Sequence, residues 1–164
     1  MAWPKFHGGM ADLRSGAVTI STKLGMVSLT YSDCGVTGVT FRRQTSTPNK
    51  IPAFVRTAAQ QLQQFAAGKL VRFTVPLDLS AGTTFQQAVW RTLQKIPRGE
   101  TRTYAWVARQ IGKSNAARAV GGACGANPVP LLVPCHRVVA SGGGLGGFSL
   151  GLPLKRRLLA LEAR

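Results

Sequence analysis

The chain has 164 residues, enough for one ordinary domain or two small ones, and 45% of them are hydrophobic, which excludes wholesale disorder. Twenty-one Lys and Arg against five acids give a formal charge of +16, which repels itself in a compact state and suits a polyanionic partner, DNA or RNA ahead of a membrane surface. Three cysteines (Cys34, Cys124, Cys135) are too few and too unevenly spaced for a disulfide framework. With only His7 and His136 beside them, and no CxxC pair, they lack zinc-site spacing, so a reduced, metal-free, cytoplasmic protein without cofactor is expected.

Residues 1–16 lack the apolar run of a signal peptide, and no run is long enough to span a bilayer. Ala17–Ile20, Met26–Tyr31 and Val36–Phe41 read as short strands separated by turns at Thr22–Gly25 and Asp33–Gly35. Pro48 and Pro52 punctuate a linker. Phe54–Ala67 reads as a helix stopped by Gly68, and Val71–Leu77 returns to an extended pattern. Character changes near Gly82. Thr84 and Gln87 have capping-box spacing for a helix over Phe85–Lys95, which Pro97 and Gly99 end. Thr103 caps a second helix with Tyr104, Val107, Ala108 and Ile111 on one face. Gly112 stops it, and Ser114 caps a third helix over Asn115–Ala126, so the pair reads as a helix-turn-helix. An apolar stretch, Leu131–Val139, is interrupted by Pro134-Cys135-His136-Arg137. Ser141–Gly151 is a glycine-rich loop, and Pro153 opens a closing helix. The glycine run at 142–147 lacks the strand–loop–helix context and Lys-Ser/Thr ending of a phosphate loop.

The third helix is nearly all small residues, Ala119, Gly121, Gly122 and Ala123 among them, around the lone cation Arg118. Each interior glycine costs about 1 kcal/mol of helix stability. Either close backbone approach to a partner or tight packing on a neighbouring helix accounts for that equally well. Cys135 is the candidate nucleophile. A thiol needs a base or cation to become thiolate, and His136 with a carboxylate such as Glu162 would form a Cys-His-Glu arrangement. In extended chain Cys135 and His136 point to opposite faces, so a water relay or a local turn at Pro134 is needed to connect them. A merely buried Cys135 and a solvated Glu162 remain the plain alternative.

Phe85-Gln86 with Val89-Trp90, Ile96-Pro97-Arg98-Gly99, Thr103-Tyr104, Arg118-Ala119-Val120-Gly121, Asn127-Pro128, the Pro134–Val138 run, and Lys155 with Leu158-Leu159 and Glu162 together resemble the O6-alkylguanine-DNA alkyltransferases. The likeness is nearly continuous from Phe85 to Glu162 and looser over Val18–Leu79. It implies an α/β (α+β) protein in two parts. Residues 1–82 would form a ribonuclease-H-like sheet-plus-helix domain, and residues 83–164 a mostly helical, winged-helix-like DNA-binding and active-site domain. It implies that the Arg118 helix, with Ala119 and Ala123 on its small surface, lies in the minor groove of double-stranded DNA. Arg118 would fill the space left by a flipped O6-alkylguanine.

By the same resemblance Cys135 takes the alkyl group, and His136, oriented by Glu162, takes the thiol proton through a water. Tyr104 protonates the leaving guanine, and Asn127 braces the turn ahead of the active-site segment. The carbonyls of Cys135 and Val138 and the amide of Ser149 read the base edge. The thioether product has no good leaving group, so the protein acts once. A monomer is expected, with clustering on DNA and activity on O4-alkylthymine left open. Phe148 stands where many members carry tyrosine, and the Cys/His ligands of the zinc site found in some members have no counterpart. A binding-only relative, a cysteine hydrolase working through an acyl-enzyme, and a plain nucleic-acid-binding module are the competing readings. The first lacks the nucleophile, and the second needs neither Arg118 nor the high charge.

Overall fold

A computed structural model describes residues 15–44, 48, 50–69 and 72–163; His7 and most of the N-terminal segment lie outside them. Strands β1 (Gly16–Thr22), β2 (Gly25–Tyr31) and β3 (Val36–Thr40) form an antiparallel sheet in that order. Thr22 pairs with Gly25 across a two-residue connection, which a glycine at φ +116° makes possible. Helix α1 (Ala53–Ala66) buries Val55, Ala58, Leu62, Phe65 and Ala66, spaced on one face, and packs on β1 and β2.

The extended segment expected over Val71–Leu77 does not become a strand over its described residues. It touches β3 through a single bridge, Val36 with Leu77, and backbone bonds from Val36 N to Pro76 O and from Asp78 N to Val36 O. Pro76 has no N–H to donate, so a continuous ladder cannot form there.

Helix α2 (Thr84–Leu93) is capped one residue earlier than the spacing suggested. The Thr83 hydroxyl accepts from Gln86 N and the Gln86 side chain accepts from Thr83 N, while Gln87 turns back to Gly82 O. The run Thr-Thr-Phe-Gln-Gln permits both registers, and the structure takes the first. Helix α3 (Tyr104–Gln110) has the expected Thr103 cap. Helix α4 (Ala117–Gly125) starts two residues later than expected. Ser114 does not cap it; residues 113–116 form a turn closed by Ala116 N to Lys113 O, and the cap position falls on Ala116.

Cys135–Arg137 is a single 3-10 turn, followed by β5 (Val138–Val139), which pairs in parallel with β4 (Arg102–Thr103). Helix α5 (Leu152–Glu162) closes the described fold, with proline in its first turn. The result is a mixed α/β fold with a small antiparallel sheet and five α-helices among the described residues. One apolar cluster joins Leu29, Val39 and Leu62 from before Gly82 to Val89, Val107, Val133 and Leu158 after it. Val39 N also donates to Pro128 O, so the sheet edge is hydrogen-bonded directly to the loop that follows α4.

Candidate active site

A cavity of about 370 Å³ opens between α3, α4, the 3-10 turn and the glycine-rich loop. Cys135 contributes to its wall and is 3% exposed. Tyr104 comes from α3; Ala117, Arg118, Gly121, Cys124 and Gly125 come from α4; Gly147, Phe148 and Ser149 come from the loop. Of the residues singled out in the sequence, Tyr104, Arg118, Cys135, Phe148 and Ser149 therefore meet in one space. His136, Glu162, Asn127 and Val138 are buried and lie outside its lining. Ala119 and Arg118 are exposed on α4, whereas Ala123 is 3% exposed, faces the core and gives its carbonyl to Trp90 Nε1. Among the described residues, nothing beyond the chain neighbours and the helix's own backbone lies within 4 Å of where a Cβ would sit on Gly122 or Gly125, so tight helix packing does not explain those glycines.

The turn that carries the thiol is set from both sides. Asn127 Nδ2 donates to Val133 O (2.9 Å) and its Oδ1 accepts from Val129 N (3.0 Å), tying the end of α4 to the strand-like approach to Cys135. Leu131 adopts φ +76°, an uncommon conformation for a non-glycine residue, within the same approach. A 3-10 turn, not extended chain, then separates the Cys135 and His136 side chains, because Arg137 N bonds back to Pro134 O.

Behind the thiol lies a buried ionic cluster. Glu162 accepts from His136 Nε2 (2.9 Å), Arg137 Nε (2.9 Å) and a terminal Arg137 nitrogen (2.7 Å); the other terminal nitrogen donates to Ile96 O (2.6 Å). Burial alone would raise the Glu162 pKa, but the hydrogen bonds and charges of His136 and Arg137 prevail and hold it at about 2. Burial also lowers the His136 pKa, more than Glu162 raises it, so the imidazole is neutral at pH 7. With an acceptor-only carboxylate on Nε2, the ring proton sits there, and the buried Nδ1, which has no hydrogen-bond partner among the described residues, carries the free lone pair. The arrangement is a neutral base with a fixed tautomer.

Burial pushes the Cys135 thiol up, against the Asn127 amide and the Lys155 charge, and pushes Cys124 to about 12. Burial also raises Tyr104, whose hydroxyl lies 3.4 Å from Gly147 O, so its proton is held at neutral pH.

Arg137 and Lys155 are the participants to which residue-level reading assigned no role. Arg137 carried a signal, as a cation inside the apolar run 131–139 that is buried only with partners, whereas Lys155, followed by Arg156 and Arg157, carried none.

The model of the 6-O-methylguanine DNA methyltransferase DNA-binding domain matches residues 84–164. The methylated-DNA–protein-cysteine methyltransferase of Mycolicibacterium paratuberculosis is 44% identical over 151 residues, 89% of this chain and 91% of the relative. That of Methanosarcina acetivorans is 49% identical over 109 residues, 66% and 69% of the two chains. The crystal structure of Mycobacterium tuberculosis OGT in complex with DNA superposes with a TM-score of 0.80 at 44% identity, covering 90% of this chain and 92% of that one. With most of its length aligned at this identity, the chain belongs to the methylated-DNA–protein-cysteine methyltransferase family.

Proposed function

We propose that this protein repairs O6-alkylguanine in double-stranded DNA by direct reversal, with Cys135 as the irreversible acceptor. The observation that carries this reading is a thiol in the wall of a cavity bounded by α4, with a neutral, oriented imidazole beside it in the turn. The alkylated oxygen lies inside the base stack, so the base must leave the helix to reach the cavity. Arg118, exposed at the cavity edge on α4, is placed to occupy the gap, and its planar guanidinium can stack there. The open faces of Gly122 and Gly125 allow a nucleic-acid backbone to come close. The relative crystallised with DNA supports DNA as the partner.

In the reaction, His136 Nδ1 takes the thiol proton, relayed by a water. The Cys135 sulfur attacks the alkyl carbon, the carbon–O6 bond breaks, and its electron pair stays with guanine. Tyr104 donates a proton to the base, so guanine leaves neutral. Asn127 holds the acceptor segment, while the carbonyls of Cys135 and Val138 and the Ser149 amide recognise the base edge. Phe148 supplies an apolar wall, and exposed Ala119 keeps the surface of α4 small, whereas Ala123, expected on that surface, packs into the core. The carbon–sulfur bond formed is a thioether, so each molecule acts once. The halves before and after position 82 correspond to a ribonuclease-H-like part and a winged-helix-like part whose α3–α4 pair is the helix-turn-helix. We place the protein in the cytoplasm as a monomer.

Intact-protein mass after incubation with a duplex containing one O6-methylguanine tests this. One methyl gained only with the lesion, and mapped to Cys135, is expected. A lesion duplex that is bound preferentially with no mass gain would leave a binding protein and make Cys135 structural.

A further inference from the structure

We propose that Phe65 is a positioning residue for alkyl transfer: from the last turn of α1 its ring holds the His136 imidazole in place and shuts water away from it. The part of the chain before position 82 thereby takes part in the reaction. The inference rests on Cys135 being the acceptor and His136 its base.

The Phe65 and His136 rings meet edge to face, with centroids 6.2 Å apart and planes at 61°, within the range at which aromatic pairs attract. Phe65 is 2% exposed and His136 is 0% exposed, so the contact is closed to solvent. A second ring, Phe73, backs Phe65 at 5.5 Å. Glu162 holds the imidazole at Nε2 only. A single hydrogen bond leaves a ring free to swing about it. The Phe65 ring blocks that swing, and with it sets the direction of the Nδ1 lone pair.

Phe65 is itself fastened to the element that carries Glu162. Gly68, at φ +77°, donates its N–H to Phe65 O (2.9 Å) and closes the turn after α1. One Arg98 nitrogen donates to Gly68 O (3.1 Å) and to Leu161 O (3.0 Å), which joins that turn to the last turn of α5, one residue before Glu162. A Cβ on Gly68 would lie 3.4 Å from the Leu161 side chain, so the two turns are packed as well as bonded. Arg137, the other partner of Glu162, donates to Ile96 O, two residues before Arg98. The ring against the base and the carboxylate that orients it are therefore tied to one short segment, 96–98.

The charges around His136 come from elsewhere. Glu162 and Lys155 belong to α5, and the Lys155 ammonium donates to the carbonyls of Val138, Leu145 and Gly147. Arg137 and Cys135 are its neighbours in the turn. Helix α2 packs on that turn too, but its buried residues are not titratable and its Arg91 is exposed, as is Arg72 beside Phe73. The last two turns of α1 carry no titratable side chain. What α1 supplies is apolar cover, and its loss would admit water, which favours the imidazolium.

The test uses the full chain with Phe65→Leu, which fills the space without a ring, and Arg98→Ala, which loosens the clamp and leaves Phe65 present. Thermal unfolding checks that each is folded, and Arg98→Ala serves if Phe65→Leu is not. Nitrogen NMR follows the imidazoles from about pH 5 to about pH 8. The sequence has only two histidines, His7 and His136, and His7→Gln assigns them. In the wild type, His136 is expected to keep one tautomer, protonated on Nε2, and to stay neutral below the ordinary histidine value of about 6.5. In the variants its titration moves up toward that value and the tautomers mix. Single-turnover methyl transfer from the lesion duplex slows by about tenfold or more at neutral pH, with its acid limb displaced to higher pH, while binding of unmodified duplex is unchanged. A folded variant with the wild-type tautomer and titration overturns the role of Phe65, whether or not transfer has slowed. A wild type that gains no methyl at Cys135 overturns the acceptor reading as well.

Discussion

Replacing Glu162 with Gln isolates the buried ionic cluster behind the thiol. The substitution keeps size but removes the charge, and it places an NH2 group among donors that need an acceptor. Arg137, 8% exposed, is left as a buried cation without its counter-ion. Breaking such a pair from one side costs about 3–5 kcal/mol. The titration of Glu162 gives an independent figure. Depression from 4.5 to about 2 corresponds to roughly 3 kcal/mol at neutral pH. Because the folded value is the lower one, this stabilisation is fully present above pH 4.5 and is lost as pH falls from there to about 2. Urea unfolding of wild type and Glu162→Gln from pH 7 down to the acid limit should therefore give curves about 3–5 kcal/mol apart at neutrality that converge in acid. A neutral-pH difference under about 1 kcal/mol, or a gap independent of pH, would refute the assignment of Glu162 as the charge that satisfies Arg137 and His136.

Arg118→Ala should slow methyl transfer on duplex DNA far more than on free O6-methylguanine base; equal slowing in single-turnover assays would argue against insertion into the helix. Asn127→Ala leaves Val129 N–H unpaired in the interior and removes one of the two donors to Val133 C=O, which keeps Cys135 N, and denaturant unfolding should show a loss of about 1–3 kcal/mol. Gly146→Ala places a Cβ 2.7 Å from the Tyr104 hydroxyl at φ +68°, so transfer should fall while binding of unmodified duplex, measured by anisotropy, is unchanged. Cys135→Ala should abolish transfer and retain duplex binding, since the net charge is the same.

Much of the fold was legible because its signals are local. The alternation in β2, the helical spacing of Val55, Leu62 and Phe65 and the Thr103 cap each act within a few residues. Two elements escaped for the opposite reason: β4 and β5 are two residues each, too short to show a period, and exist only because chain ends far apart in sequence meet. The register of the α2 cap was undetermined by adjacent threonines and glutamines that serve either way. In the site, the thiol, imidazole and carboxylate were readable as chemical types. Their geometry was not, because the 3-10 turn depends on long-range support from Asn127 and Arg137. Lys155 escaped because a lysine near the start of an amphipathic helix ordinarily faces water. Only the glycine-rich loop folding over it reveals three carbonyls waiting for a donor.

The bond from Val39 N to Pro128 O and the apolar cluster running across position 82 have a consequence for mutational tolerance. The three-stranded sheet contributes no side chain to the reaction cavity, so its positions would be expected to vary freely as long as the sheet survives. Yet its edge strand is continuous, through one hydrogen bond and shared core side chains, with the loop from which Asn127 reaches toward Cys135. Substitutions such as Val39→Thr, remote from the DNA, would therefore register as lost repair capacity before they registered as lost protein. Screens for inactivating variants should return a vein of hits running through the sheet that no map of DNA contacts would anticipate.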